Sequence, residues 1–242
     1  ENGESVAATL DGFTILDSDL GLSVYESSIS VLNCVFRGTG QTDAQGAGVR
    51  AYASTVLLEN VVFEDNISAY GAIFADNEAH LFGTNVSFSA NEGIFGADVY
   101  VNNAVVDFDT FESIDSFAAY GGSLHVLDSS LTIDNLTIAD TYATYSGGAL
   151  YAEGSTIEIA NSVWAGARNG SGAGSTVSLQ GGSATFSDCS ISESMSTSSG
   201  YGAVSLSEGE LHMSECSFEA NQNNGGGGGQ GLSRYAAIFR KK

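Results

Sequence analysis

The carboxyl groups of Asp76 and Asp98, expected near each other on successive units of a repeat, with the imidazole of His125 further along, are a set of side chains whose types and spacing could do acid–base chemistry. Two carboxyl groups held ~6.5–9.5 Å apart across a sugar can hydrolyse a glycosidic bond with inversion. Asp17 with Asp19, Glu64 with Asp65, and Asp107 with Asp109 offer hard oxygen ligands for Ca2+, but none has the spacing of a calcium loop. The sequence therefore implies no cofactor and no dedicated metal site, only diffuse Ca2+ binding. Cys34, Cys189 and Cys216 have no histidine at matching positions and read as small core residues, with a Cys189–Cys216 disulfide geometrically open. Four Asn-x-Ser/Thr triplets have the form of N-glycosylation acceptors. Asn85 and Asn135 are expected at inaccessible corners, and Asn66 and Asn169 in loops open to modification if the source is eukaryotic.

A repeat must position these groups. A bulky apolar residue recurs at Ile15, Phe36, Phe63, Phe88, Phe111, Ile138, Trp164, Ile191 and Phe218, at intervals of 21, 27, 25, 23, 27, 26, 27 and 27 residues. A Gly-led apolar run precedes each by about 15 residues, and Asn33, Asn60, Asn85, Asn135 and Asn161 stand three positions before five of them. A unit of this size cannot bury its own apolar face and must stack on its neighbours, so the period means a solenoid.

Within one unit, residues 121–146, period-2 alternation gives three short strands. Leu124 and Val126, Leu131 and Ile133, then Leu136 and Ile138 point inward. The expected fold is all-β: a right-handed parallel β-helix of about nine rungs, forming a rod on the order of 40 Å long at ~4.8 Å per rung. The Asn column marks a corner, where Asn tolerates the left-handed conformation and its amide can reach the next rung. Tyr70, Phe95, Tyr120, Tyr145 and Tyr201 close the variable loop of each unit and are expected to stack there. Unit five departs from the pattern, with Phe108 in place of the corner Asn and Asp109 at an inward position. The organisation reads as a β-helix over 1–224, a Gly-rich linker over 225–231, and a basic amphipathic tail over 232–242. In that tail Leu232, Tyr235 and Phe239 have helical spacing suited to capping the last rung.

Composition narrows the function. With 29 acidic and 7 basic residues and a net charge of −22, the chain repels phosphate backbones, which excludes nucleic acid as a partner. Proline is absent and glycine numbers 31, as suits continuously paired strands with tight corners. No apolar run approaches the ~20 residues of a membrane span. Beginning at Glu1 inside a repeat, the chain reads as a segment of something longer.

The units resemble the polymorphic outer-membrane protein repeats first described in Chlamydia, and a pectin-lyase-like β-helix. The resemblance rests on Gly147-Gly148-Ala149-Leu150 with its near match Gly121-Gly122-Ser123-Leu124. It rests also on Phe63-Glu-Asp-Asn66, Phe88-Ser-Ala-Asn91 and Phe218-Glu-Ala-Asn221. It implies a non-enzymatic, extracellular or cell-surface structural or adhesive module of a larger protein or filament. The alternative is a polysaccharide-binding or polysaccharide-degrading β-helix, since lyases and glycosidases share that fold. Against it, the body has only Arg37, Arg50 and Arg168 and no Lys to act as a lyase base, and no polygalacturonase-like carboxylate set.

The expected contact surface is a stripe of planar side chains on the outer side of the first strand: Tyr25, Arg50, Phe74, Tyr100, His125 and Tyr151. Its partner would be a protein or a neighbouring β-helix, or a glycan; alternatively, a loop of the same chain covers it. A second apolar patch comprises Leu57, Phe82 and Val105. Contiguous apolar area of this kind marks contact sites.

Overall fold

A computed structural model of the chain describes residues 8–197, 202–224 and 232–235, and every regular element in them is a β-strand. The strands pair in parallel and wind through about eight turns of a β-solenoid with three faces. The wide face is built on six ten-residue strands: Thr55–Glu64, His80–Ser89, Val105–Ile114, Ser130–Ala139, Thr156–Ala165 and Ser183–Ser192. The narrow face stacks nine four-residue strands, running from Leu22–Tyr25 to Leu232–Tyr235. A third, short face comprises Phe117–Tyr120, Tyr142–Ser146, Arg168–Asn169, Met195–Ser196 and Gln222–Asn223.

One residue per turn explains how a ten-residue strand keeps a single face buried. In Thr55–Glu64, Val56 and Leu58 point inward before the bend and Val61 and Phe63 after it, with Glu59 and Asn60 both exposed between them. Asn60 has φ 54°, which turns the chain and resets the alternation. Asn33, Asn85, Asn135 and Asn161 do the same at φ 51°, 54°, 55° and 50°, a left-handed region that Asn enters at less cost than most residues. Their amides form the cross-turn ladder. Asn60 Nδ2 donates to Asn33 Oδ1 at 3.1 Å, Asn85 to Asn60 at 2.8 Å, and Asn161 to Asp134 at 2.6 Å.

Turn five resolves differently from its sequence pattern. Thr110 makes the bend at φ 64°, so Phe108 is wholly buried and Asp109 is exposed. Phe111 pairs with Val86 and Leu136, and Ser113 pairs with Phe88 and Ile138. Phe111 is therefore not the anchor of this turn; a serine stands in the anchor column. The Phe108 ring has room because the preceding turn carries Gly83, whose added Cβ would lie 2.1 Å from that ring. Elsewhere the column is filled by stacked rings, with Phe36, Phe63 and Phe88 spaced 5.0 Å apart centroid to centroid. Ile138 and Trp164 are fully buried in the same column, while Ile15 and Phe218 are partly buried against the core.

Leu232–Tyr235 is a strand paired in parallel with Val204–Ser207, not the helical cap suggested by its spacing. An open strand edge offers a ladder of unpaired backbone groups, whereas a helix this short is marginal alone. The Gly-rich linker at 225–231, residues 236–242 and Tyr201 lie outside the described residues.

Candidate contact surfaces

The stripe forms in register but not at the surface. Arg50, Phe74, Tyr100, His125 and Tyr151 stand opposite one another on successive narrow-face strands. Tyr25 does not join them: Leu22 pairs with Val49, which places Ser23 beside Arg50 and Tyr25 beside Tyr52. Those two tyrosines stack at 5.0 Å with rings 1° from parallel, and Tyr25 is 63% exposed. Phe74, Tyr100, His125 and Tyr151 are 3–8% exposed. The loop-closing rings cover them. Tyr70 packs edge-on against Phe74 and Tyr100, Phe95 against His125, and Tyr120 against Tyr151. Tyr70, Phe95 and Tyr120 also stack on one another at 5.3 and 5.8 Å.

The stripe is therefore half of a second, aromatic core outside the narrow face, closed by the chain's own loop. Burial raises Tyr100 and Tyr151 to about 12 and lowers His125 to about 4, so the imidazole is neutral at ordinary pH. Arg50 is half-buried at the end of this column, its guanidinium carbon 5.9 Å from the Phe74 ring centre.

The second patch is at the surface. Leu57, Phe82 and Val105 are 40%, 38% and 38% exposed on the outer side of the wide face. Leu57 and Phe82 are direct neighbours, whereas Val105 lies one column aside, next to His80. His80 is exposed and 6.4 Å from the Phe82 ring, and completes the patch. Its membership required the strand register.

The three candidates for acid–base chemistry are not brought together. Asp76 ends a narrow-face strand at the rim, where it accepts from Asn102 Nδ2 at 3.0 Å. Asp98 immediately precedes Val99–Asn102, at the opposite end of the same face, and is completely buried. Four residues of strand separate those ends by ~13 Å, and His125 faces away from the core that holds Asp98. Asp98 accepts hydrogen bonds from Ser113 Oγ at 2.5 Å, Ser116 Oγ at 2.7 Å and Asn91 Nδ2 at 2.9 Å. Burial pushes its carboxyl up to about 6 against these donors, which pull the other way. Asn91 continues a buried ladder: its Oδ1 accepts from Asn66 N and Nδ2, and Asn66 Oδ1 accepts from Thr39. The signal for this cluster was the irregular turn five, whose anchor column offers a hydroxyl.

Accessibility of the glycosylation triplets is the reverse of that expected. Asn66 and Asn169 are each 1% exposed. Asn66 Nδ2 donates both to Phe36 O and to Asn91 Oδ1, and Asn169 Nδ2 lies among the carbonyls of Tyr145, Gly172 and Gly174. An amide so buried and hydrogen-bonded is out of reach of a glycan-transferring enzyme once the chain has folded. Asn85 and Asn135 are at exposed bends. The bend, where one residue must face outward, is the accessible place.

All three thiols are free. No group of three or more metal-ligating side chains occurs among the described residues. No protein-family model, curated protein or solved structure matches this chain.

Proposed function

We propose that this chain is a non-enzymatic extracellular structural and adhesive module, a rigid piece of a larger surface protein or filament. Two features of the interior support the rigid part. The Phe36–Phe63–Phe88 stack and the Asn66–Asn91 ladder tie each turn to the next through side chains as well as backbone. In a solenoid, stability comes from such nearest-neighbour interfaces.

The observation that carries the adhesive part is the exposed apolar cluster of Leu57, Phe82 and Val105 on the outer side of a parallel sheet. An exposed apolar face of this kind suits a protein partner, including the face of a neighbouring rod. The test is the double variant Leu57→Ser/Phe82→Ser, followed by sedimentation velocity and by binding to cell or protein-coated surfaces. Loss of association with unchanged circular dichroism is expected. Unchanged association would overturn this assignment. Turnover of a polysaccharide that disappears with Asp76→Ala would overturn the non-enzymatic reading.

A further inference from the structure

Cys189 and Cys216 occupy the same inward position on consecutive turns. Ser190 pairs with Ser217 and Ile191 with Phe218, so the two cysteines lie directly opposite each other. Adjacent strands place such Cα atoms ~4.8 Å apart, inside the window of about 4.4–6.8 Å that a disulfide spans. The side chains also share one posture. Cys189 Sγ is 3.2 Å from Ser187 O and 3.9 Å from Ile159 O, and Cys216 Sγ is 3.3 Å from Ser214 O and 3.6 Å from Phe186 O. Cys34 has no such neighbour, because Val61 holds its position on the next turn.

We propose that Cys189 and Cys216 form a redox-closable pair, oxidised by a small-molecule disulfide to a bond that staples the strands Glu210–Ser214 and Ser217–Glu219 to the body. Cys216 is partly exposed and Cys189 is buried, so the reagent reaches Cys216 first. The Cys216 thiolate attacks one sulfur of the reagent, forming a mixed disulfide and releasing one thiolate. Cys189 then loses its proton and attacks Cys216 Sγ, expelling the second thiolate. Two protein thiols are oxidised and one reagent disulfide is reduced to two thiols. Burial raises Cys189 to about 11, so closure accelerates with pH.

The bond would act where the core thins toward the last turns. Met213, Cys216 and Phe218 are only partly buried, and pairing with Ser183–Ser192 is split into two segments on either side of the Asp188–Glu215 bend.

The experiment incubates the full chain with oxidised glutathione, quenches with acid, denatures it and titrates thiols. The count is expected to fall from three to one, without a glutathione adduct, and glutamate-specific cleavage should leave the Cys189 and Cys216 peptides joined. The urea midpoint should rise relative to the reduced protein. Cys34→Ser should react in the same way, and Cys216→Ser should keep both remaining thiols and show no rise. A count that stays at three, a reaction that stops at an adduct on Cys216, or bonds between chains would each overturn the proposal.

Discussion

Ser113 reaches across the interior from the wide face and donates its hydroxyl to Asp98 Oδ2 at 2.5 Å. The hydroxyl stands where neighbouring turns place Phe88 and Ile138, and the carboxyl it meets is completely buried. The irregular turn and the buried acid are thus one feature. A carboxylate with three donors and no ion-pair partner is still costly to ionise away from water, which is why its proton is held to about pH 6.

Stability should therefore depend on Asp98 in a definite direction. Its folded pKa of about 6 exceeds the ordinary 3.8, so its contribution is fully present below pH ~4 and lost as pH rises through about 6. At roughly 1.4 kcal/mol per unit, the change is on the order of 3 kcal/mol. Urea unfolding of wild type and Asp98→Asn at pH 4 and pH 7 measures it. The difference between the two proteins should move toward the wild type at pH 4 by about 2–3 kcal/mol. A pH-independent difference would show that the carboxyl is not protonated in the fold.

Phe74 and Tyr100 stack at 5.4 Å and are sealed by Tyr70. Phe74→Ser/Tyr100→Ser should lower stability by more than about 4 kcal/mol, since truncating even one buried aromatic costs about 3–5 kcal/mol. Leu57→Ser/Phe82→Ser, at exposed positions, should cost under about 1 kcal/mol. Thermal melts of both double variants decide whether the aromatic column is core or surface.

Gly83 and Phe108 share one volume. Gly83→Ala should destabilise by about 1–3 kcal/mol through overpacking, because the new methyl meets the ring at 2.1 Å. Combining it with Phe108→Leu should recover part of that loss, giving a coupling energy above about 0.5 kcal/mol in a double-mutant cycle. Strict additivity would mean that the clash is relieved some other way.

The two asparagine columns should respond unequally. Asn66→Ala strips partners from Thr39 N and Phe36 O inside the core and should cost about 2–4 kcal/mol, as unsatisfied buried groups do. Asn60→Gly keeps the left-handed bend and loses only exposed amide contacts, so it should cost under about 1 kcal/mol. Chemical denaturation of the two variants compares them directly.

Much of the architecture follows from local pattern. Alternation within Thr55–Glu64, the asparagine three positions before Phe63, and the glycine-led run at Gly71 each report a local requirement: which side faces in, where the backbone turns left-handed, where a corner leaves no room. Such requirements act over a few residues, so the linear sequence records them and the solenoid is legible from it. Tertiary structure decided what depends on the neighbouring turn. Tyr25 misses its expected column because register is set by pairing of Leu22 with Val49, not by distance along the chain. Phe74 and Tyr100 point away from the main core as expected, yet are buried because Tyr70 and Phe95 fold back over them. Asn66 and Asn85 sit in identical triplet motifs, and only the fold puts one inside a hydrogen-bonded ladder and the other on an exposed bend. Alternation reveals which side of a strand a residue occupies. Exposure depends also on what the rest of the chain lays against that side, and so emerges only when the turns stack.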